Sequence, residues 1–379
     1  MDTFFEDHHR EIRRKSREFV LGEIIPHVEQ WDLEQTPPFH LVPKAGELGL
    51  LGPYFPVKYG GGGQDVVSTC IVSEELGRAG SGIMSCFLVS TIAVGPIAHF
   101  GTEQQKLDYL LPTLRGEKIA AIAMTEPDAG SDVSRIRTVA VQDGNDYLIS
   151  GEKLFITNGT RSEFVVVAAR TGPIDDRHRN LSLFIVDRGT PGFTVSRKLR
   201  KLGWHASDTA ALTFENCRVP ATNLVGEVNR GFYQLMHNLD VERVLVAADA
   251  VGLADSAYHA AAEYAKQRQQ FGQPISQHQV IRHMLVDMYV SIEAARLMLY
   301  NSAFAIDHGQ AKAREASAAK YYATEVVRKV TADAVQVMGG QGFLMDNSVQ
   351  RFFRDAPVYT IGGGTSQIQK EIIAKELGL

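Results

Sequence analysis

Two short segments carry the residue types from which proton-transfer chemistry could be built. Asp240-Val241-Glu242-Arg243 sets two carboxylates and a guanidinium within a long Ala-rich stretch, while Ile361-Gly362-Gly363-Gly364-Thr365-Ser366-Gln367 is a loop that holds no carboxylate. A glutamate fixed on a helix and shielded from water can act as a base toward an acidic C–H. The plain alternative is a solvated side chain on a polar helix face. A third segment, Thr125-Glu126-Pro127-Asp128-Ala129-Gly130-Ser131-Asp132, follows an apolar run at residues 119–124. Its hydroxyls and backbone N–H groups could grip the polar edge of a ring system, or the segment could be a capped β-turn.

Other glycine- and histidine-rich spots carry less. Gly60-Gly61-Gly62-Gly63 has neither the spacing nor the strand-to-helix setting of a dinucleotide-binding fingerprint, and no G-x-x-x-x-G-K-[ST] loop occurs. Gly339-Gly340-Gln341-Gly342 follows a helical stretch and would serve to end it. No G-x-S-x-G elbow is present, and His8-His9 lies on a polar helix face without further ligands. Neither a serine hydrolase nor a metal centre is expected.

The elements that must hold these segments are readable from periodicity. From Asp7 to about Gln35 apolar residues recur at helical spacing (Ile12, Phe19, Val20, Ile24), with Pro26 as a kink or division and Pro37-Pro38 as the end. Shorter helical stretches follow at about 39–49, 64–78, 84–99 and 103–113. Between about 120 and 228 the pattern changes: TVAVQDGNDYLIS flanks the hairpin signal Asp143-Gly144 with β-branched and aromatic residues, and KLFIT, FVVVAAR, LSLFIVD, GFTVSRK and ALTFE read as short strands. That spacing suits a small antiparallel barrel or sandwich. Long Ala-rich helices return at about 231–269, 277–307 and 311–338, and with a last helix after Gly364 they make an antiparallel bundle. The expected architecture is α+β in the order α, β, α, with a helical domain at 1–117, a β domain at 118–229 and a four-helix bundle at 230–379.

With 379 residues, 44% hydrophobic and 22% charged, the chain can bury a large core. Its net charge of −5 comes from interspersed charges, so no basic stripe points to nucleic acid or to an anionic membrane. Cys70, Cys86 and Cys217 lie far apart without a C-x-x-C pair, which argues against disulfides and zinc. The N-terminus lacks the apolar core of a signal peptide, and no apolar run is expected to reach the ~18–20 residues of a membrane span, so the cytoplasm is the expected location.

The segments TEPDAGSD, GEKLFITNG, KLGWHASDTA, QRQQFGQPISQHQ, VQVMGGQGF and FFRDAPVYTIGGGTSQIQ stand in the order and spacing of acyl-CoA dehydrogenases, and the chain resembles that family over essentially its whole length. The resemblance implies a non-covalent FAD between the β domain and the bundle. Ile122, Met124, Thr125 and Ser131 would contact the flavin ring, with Ser131 at an edge shared with substrate, and Phe155 and Thr157 would lie on the ring's other side. Arg268 and Phe271 would reach the pyrophosphate of a neighbouring subunit's FAD, and Gln336, Gly339 and Gly340 its adenosine half. His278, Gln279, Thr365 and Gln367 would complete that shell. Such sharing implies at least a dimer, and the family a dimer of dimers.

The implied activity is oxidation of an acyl-CoA to a trans-2-enoyl-CoA, with electrons passed to an electron-transfer flavoprotein. Many members carry the base in a Tyr-Glu-Gly-Thr loop, but the matching positions here are Gly362, Gly363, Gly364 and Thr365. Isovaleryl- and long-chain-type members place the glutamate on the helix before an arginine, as Val241-Glu242-Arg243 does, so Glu242 is the expected base. Gly363 would keep its N–H as an oxyanion donor, Gly364 would lie against substrate, Asp240 would meet the pantetheine arm, and Arg243 would help to set the pocket. Residues 81–94 hold no charged side chain, so an uncharged, branched or cyclic acyl group is expected rather than a dicarboxylate. An enoyl-thioester reductase, an enzyme acting on a carrier-protein thioester, and a flavoprotein kept for assembly or nucleic-acid association are the rival readings.

Overall fold

The computed structural model describes residues 5–176, 178–310 and 313–379. Its first part is helical: α1 (Asp7–Phe19), α2 (Val28–Glu34), α3 (Val42–Glu47), α4 (Val66–Gly77), α5 (Ile83–Phe100), α6 (Glu103–Gln105) and α7 (Leu111–Leu114). The long helix expected from Asp7 is divided, because α1 passes into a π-helical turn at Val20–Ile24 and the chain then bends at Pro26 before α2. Proline cannot donate the N–H that a continuous helix needs there. Helix α4 starts sharply because the Asp65 side chain accepts a hydrogen bond from Ser68 N at 2.7 Å.

Helix α5 corrects an expectation. By length and composition its 18 residues are apolar enough to cross a membrane, with a mean hydropathy of 1.8. Within the described residues it is instead a core helix, packed on α4 and α8 through its N-terminal half and against the sheet and the start of α8 through its C-terminal half. A helix covered on all sides has no need of a polar face.

The middle part is a single sheet built from β1 (Ala120–Ala123), β2 (Val139–Asp143), β3 (Asp146–Thr157), β4 (Phe164–Arg170), β5 (Leu181–Asp187), β6 (Phe193–Lys198), β7 (Thr209–Pro220) and β8 (Leu224–Val225), in the order β6-β7-β3-β2-β4-β5-β8. Strand β1 pairs off this path with β4. The β1–β4 and β2–β4 pairings are parallel, where an all-antiparallel sheet was expected. The expected hairpin is present, with Asp143 paired to Asp146 and Gly144 at φ 62° in the two-residue turn. Strand β4 alternates between two cores: Phe164, Val166 and Ala168 face the cluster beneath α5, and Val165, Val167 and Ala169 face the cluster on the sheet's other side. Both faces are thus buried, which explains its unbroken apolar run.

The last part comprises α8 (Gly231–Gln267), a hairpin of β9 (Gln269–Gln270) and β10 (Gln273–Pro274), then α9 (Gln279–Asp307), α10 (Ala313–Met338), α11 (Ser348–Tyr359) and α12 (Ser366–Leu377). Helix α11 was not anticipated, and it packs on α8 and α10 beside the four expected helices. Residues 311–312, where the third bundle helix was expected to begin, lie outside the described residues.

A buried ionic network ties α1 to this bundle. Glu74 and Glu75 on α4 are both fully buried. Glu74 accepts from Arg296 Nε at 2.9 Å, from Arg13 Nη2 at 3.3 Å and from the Tyr300 hydroxyl, and Arg17 Nη2 donates to Glu75 at 2.8 Å. Burial pushes Glu74 upward, but the Arg296 and Arg13 guanidiniums outweigh it and hold the carboxyl below its ordinary value. Its contribution is therefore complete above the unfolded carboxylate value and is lost as pH falls through the lower folded value. Arg296→Ala is expected to lower unfolding stability by about 3–5 kcal/mol and to start acid unfolding at higher pH. Denaturant midpoints measured across pH check this, and an unchanged midpoint at neutral pH would refute it.

Candidate active site

Glu242 lies on α8, half-buried, and its only close polar partner among the described residues is Asn238, whose Nδ2 donates to Oε1 at 3.4 Å. Among the described residues no cation pairs with it directly, because Arg243, the next residue, donates instead to Asp240 at 2.5 Å. Burial pushes the Glu242 carboxyl up to about 7, with Asn238 and Arg243 offsetting part of that rise. A carboxyl poised near neutrality can both accept and release a proton under ordinary conditions. The Asp240–Arg243 bridge also shows that part of Asp240's expected binding capacity is spent within the helix, one turn apart.

The glycine loop stands against the same helix face. A Cβ built on Gly363 would lie 3.7 Å from Cγ2 of Val246, one turn after Glu242. Gly363 and Gly364 have φ of 65° and 86°, conformations that glycine adopts without strain. The loop's carbonyls are pinned: Lys320 Nζ donates to Gly364 O at 2.7 Å, and Gln369 Nε2 donates to Gly363 O at 3.0 Å and Gly364 O at 3.1 Å. With the carbonyls so held, the Gly363 N–H has no acceptor among the described residues. It is available to a developing oxyanion. Lys320 is fully buried on α10, and burial lowers its amine to about 8. Thr365 has a structural task, since its side chain accepts from Ile368 N at 3.2 Å and caps α12, while Gln367 is exposed.

The Thr125 turn is built on a second buried pair. Lys153 Nζ donates to Glu126 Oε1 at 2.8 Å and to Met124 O at 3.1 Å, and Glu126 also accepts from Arg137 N at 2.6 Å and Thr138 N at 2.9 Å. Burial lowers the Lys153 amine to about 8, while Lys153 holds Glu126 below its usual range. The pair joins the turn to β3, where Leu154 N donates to Thr125 O at 2.8 Å. Next to it Phe155 sits at φ 62° in a β-bulge with 63% of its surface exposed. A strained backbone that turns a phenyl ring into the open marks a surface meant to be covered. Ile122, Met124 and Thr125 at the end of β1 and Phe155 and Thr157 on β3 are thus brought together, and Ser131 lies exposed at the turn's far end.

Another group of expected site residues is remote. Arg268 follows the end of α8, and the 25 residue steps from Glu242 to Gln267 span roughly 38 Å of helix. Phe271, at φ 53° in the β9–β10 turn, is 93% exposed, and the His278 Nε2 lies 3.2 Å from Gln270 O beneath the same turn. Gln279 and Gln336 are exposed, and Cβ atoms on Gly339 and Gly340 would meet nothing within 4 Å. One chain does not bring these residues to its own Glu242.

Sequence reasoning missed Asn238, Lys320, Lys153 and Glu126. The available signal was a lysine at an inward strand position (Lys153) and a lysine within the apolar stripe Ala316, Ala319, Ala323 and Val327 of α10. It also missed a partner of the two histidines: His8 Nε2 and His9 Nε2 lie 2.8 and 2.9 Å from Asp65 Oδ2. His9 Nδ1 accepts from Glu6 N at 3.0 Å, so in the neutral ring Nε2 carries the proton and donates to Asp65. That tautomer suits a helix cap, not a metal ligand.

Family models match three consecutive blocks of the chain: the acyl-CoA dehydrogenase N-terminal domain over residues 6–117, the middle domain over 121–217 and the C-terminal domain over 229–378. The chain is 42% identical over 367 residues to an acyl-CoA dehydrogenase of Bacillus subtilis, covering 97% of each chain. It is 38% identical over 375 residues, 98% of each chain, to a subunit of the caffeyl-CoA reductase-Etf complex of Acetobacterium woodii. Butyryl-CoA dehydrogenase from Megasphaera elsdenii shares the fold with a TM-score of 0.96 and 36% identity, with 100% of both chains covered.

Breaking the buried pair under the Thr125 turn should be costly. Lys153→Met leaves Glu126 without its cation and is expected to lower stability by about 3–5 kcal/mol and to raise amide hydrogen exchange selectively at residues 124–131. Uniform exchange across the chain, or none, would count against the pair's local role.

Proposed function

Because the chain belongs to the acyl-CoA dehydrogenase family of oxidoreductases, we propose that it removes the α-proton and β-hydride of an acyl-CoA thioester, with Glu242 as the base. The observation that carries the reading is a half-buried carboxyl near neutrality beside the uncovered N–H of Gly363. The carboxylate would take the proton while that N–H stabilises the enolate-like thioester oxygen. Asp240 and Arg243, bonded to each other one turn apart and flanking Glu242 on the helix, would meet the pantetheine arm and close the pocket's wall.

The residues present fit FAD. Thr125 and Thr157 offer hydroxyls beside the exposed Phe155 ring, Ser131 lies exposed at the turn's far end, and the backbone at Gly339-Gly340 is open to close approach, since built Cβ atoms there would meet nothing within 4 Å. A bound flavin would supply the acceptor for the β-hydride. Arg268, Phe271, His278, Gln279, Gln336, Gly339 and Gly340 stand too far along the bundle to serve the same chain's flavin, so they would hold the pyrophosphate and adenosine of a second copy's. Thr365 and Gln367, beside the glycine loop at the Glu242 end, would complete the FAD shell from the same chain. This supports at least a dimer, and the family plan suggests a dimer of dimers.

The relative named for a reductase–Etf complex favours a second reading, the same site run toward enoyl-thioester reduction with Glu242 donating the proton. The same relative supports an electron-transfer flavoprotein as redox partner. The uncharged helix α5 supports an uncharged acyl group.

Glu242→Gln is expected to retain FAD but to slow its anaerobic bleaching by acyl-CoA by at least ~10²–10⁴. In the parent protein the rate should rise with pH through about 7, since only the ionised carboxyl can accept the proton. Bleaching of the variant at the parental rate would sink the assignment. The same assay with isobutyryl-, isovaleryl-, cyclohexanecarboxyl-, straight-chain and glutaryl-CoA tests the acyl class, and preference for glutaryl-CoA would overturn it. Arg268→Ala is expected to reduce both FAD content and oligomer size in sedimentation, because the guanidinium would join cofactor to neighbour. Full FAD at unchanged size would place Arg268 in solvent.

A further inference from the structure

Asn238 lies one turn before Glu242 on α8, so both side chains emerge from the same stripe. The residue is 3% exposed. Its Nδ2 donates to the Glu242 carboxylate, and the same amide is met by α5 at Gly95. A Cβ on Gly95 would stand 2.6 Å from Asn238 Nδ2 and 2.9 Å from its Cγ, closer than side-chain atoms can lie. Gly95 is within a helix and needs no left-handed backbone, so the reason for glycine there is the space that the amide occupies.

We propose that Asn238, seated against Gly95 of α5, is a positioning residue for Glu242: its amide aims the carboxylate and favours its ionised form. The inference rests on Glu242 being the base. An asparagine suits the task, because it donates to a carboxylate and, with the amide turned over, accepts from the carboxylic acid formed when the proton arrives. Burial works the other way, so removal of the amide leaves the charged form of Glu242 less supported.

The other charged and titratable groups around Glu242 are few. On α8 itself Arg243 is the sole nearby cation, and it is engaged by Asp240. From α10 Lys320 acts on Arg243 and is bonded to Gly364 O. From the segment before α4 comes the Tyr54 phenol, pushed upward by its burial and by the Glu242 charge. Helix α5 carries no Asp, Glu, Lys or Arg; its His99 ring lies 4.6 Å from that of His237, and its Cys86 is bonded to Ala206 O. The loop at residues 362–364 has no side chains. Among the described residues Asn238 is therefore the one neutral group that bonds the carboxylate.

The test follows the protonation of Glu242 directly in the full-length, FAD-loaded protein without acyl-CoA, by the carboxylic-acid C=O stretch in pH-difference infrared spectra. Glu242→Gln identifies the band. Asn238→Ala is expected to raise the midpoint by about one on the pH scale, a tenfold change in proton affinity. The isosteric Asn238→Asp, which adds a like charge and removes the donor, should raise it further. Gly95→Ala should also raise it, by driving the amide off the carboxylate, and should lower thermal stability. Gly95→Ala with Asn238→Ala should recover the stability while keeping the raised midpoint. An unmoved midpoint in folded Asn238→Ala or Asn238→Asp overturns the proposal, and an unmoved midpoint in Gly95→Ala overturns the part played by α5. Because no substrate is used, these results stand apart from the base assignment, which fails only if Glu242→Gln still bleaches its flavin normally.

Discussion

The placement of Glu242 depends on how closely α4 and α5 approach α8. Three glycines make that approach. A Cβ on Gly77 would fall 2.3 Å from Asp249 O, one on Gly252 would fall 2.0 Å from Glu74 O, and one on Gly95 would collide with Asn238. Backbone meets backbone at the first two contacts, so no rotamer change could relieve a methyl group there. The Ala-rich face of α8, with Ala247, Ala248, Ala250 and Ala254 all buried, continues the same narrow seam. Glycine weakens an isolated helix by about 1 kcal/mol, and here tertiary contact outweighs propensity. With the seam closed, the carboxylate side of α8 is shut off from water on two sides.

Buried charge in this protein falls into two kinds. Glu74, Glu75 and Glu126 are surrounded by guanidinium, ammonium or backbone donors and act as structural ties. Asp355 is satisfied by main chain alone: Ser81 N donates to it at 2.5 Å and Trp204 N at 2.6 Å, joining the helical, β and bundle parts at one carboxylate. Burial raises Asp355 to about 6 and Asp249 to about 8. A neutral Asp249 can lie beside Tyr359 without a counter-charge. Glu242 belongs with these raised groups, yet unlike Asp249 and Asp355 it is partly open to the outside. A carboxyl that is both raised and reachable is suited to chemistry, whereas a raised and sealed one is suited to holding parts together.

Periodicity made the α, β, α order and most elements legible, because long helices and alternating strands bury one face regardless of distant detail. Strand β1 was not legible: its Ala-Ala-Ile-Ala has little strand preference and becomes a strand only by parallel pairing with β4, some forty residues on. Helix α11 was hidden because its twelve residues lie between a loop and the glycine turn and carry an internal Pro357. Glu242 could be singled out only through the family resemblance. Its isolation from cations depends on Asp240 capturing Arg243 and on Asn238 and Gly95 meeting across two helices, which no local pattern encodes. Phe155 and Phe271 were likewise marked only by the resemblance, because nothing in the local strand and turn patterns encodes their left-handed backbone or the exposure of their rings.

The glycine loop and the helix glutamate address the same volume, and that explains why only one of them carries a carboxylate. A side chain at residue 363 would point toward Val246, beside Glu242. Two carboxylates in that half-buried space would raise each other's proton affinity, leaving one protonated and idle at neutral pH. With hydrogen at Gly362 and Gly363, the loop keeps only its N–H and the helix keeps only its carboxylate. The two halves of the proposed chemistry then sit on separate elements, so their spacing must be fixed by something other than one backbone. Lys320 does this from α10: its buried amine holds Gly364 O at 2.7 Å, while α10 itself packs along α8. An ammonium lowered to about 8 by burial is a costly way to hold a carbonyl. Its presence at the loop is intelligible if the position of the Gly363 N–H relative to Glu242 matters more than the stability lost in burying the charge.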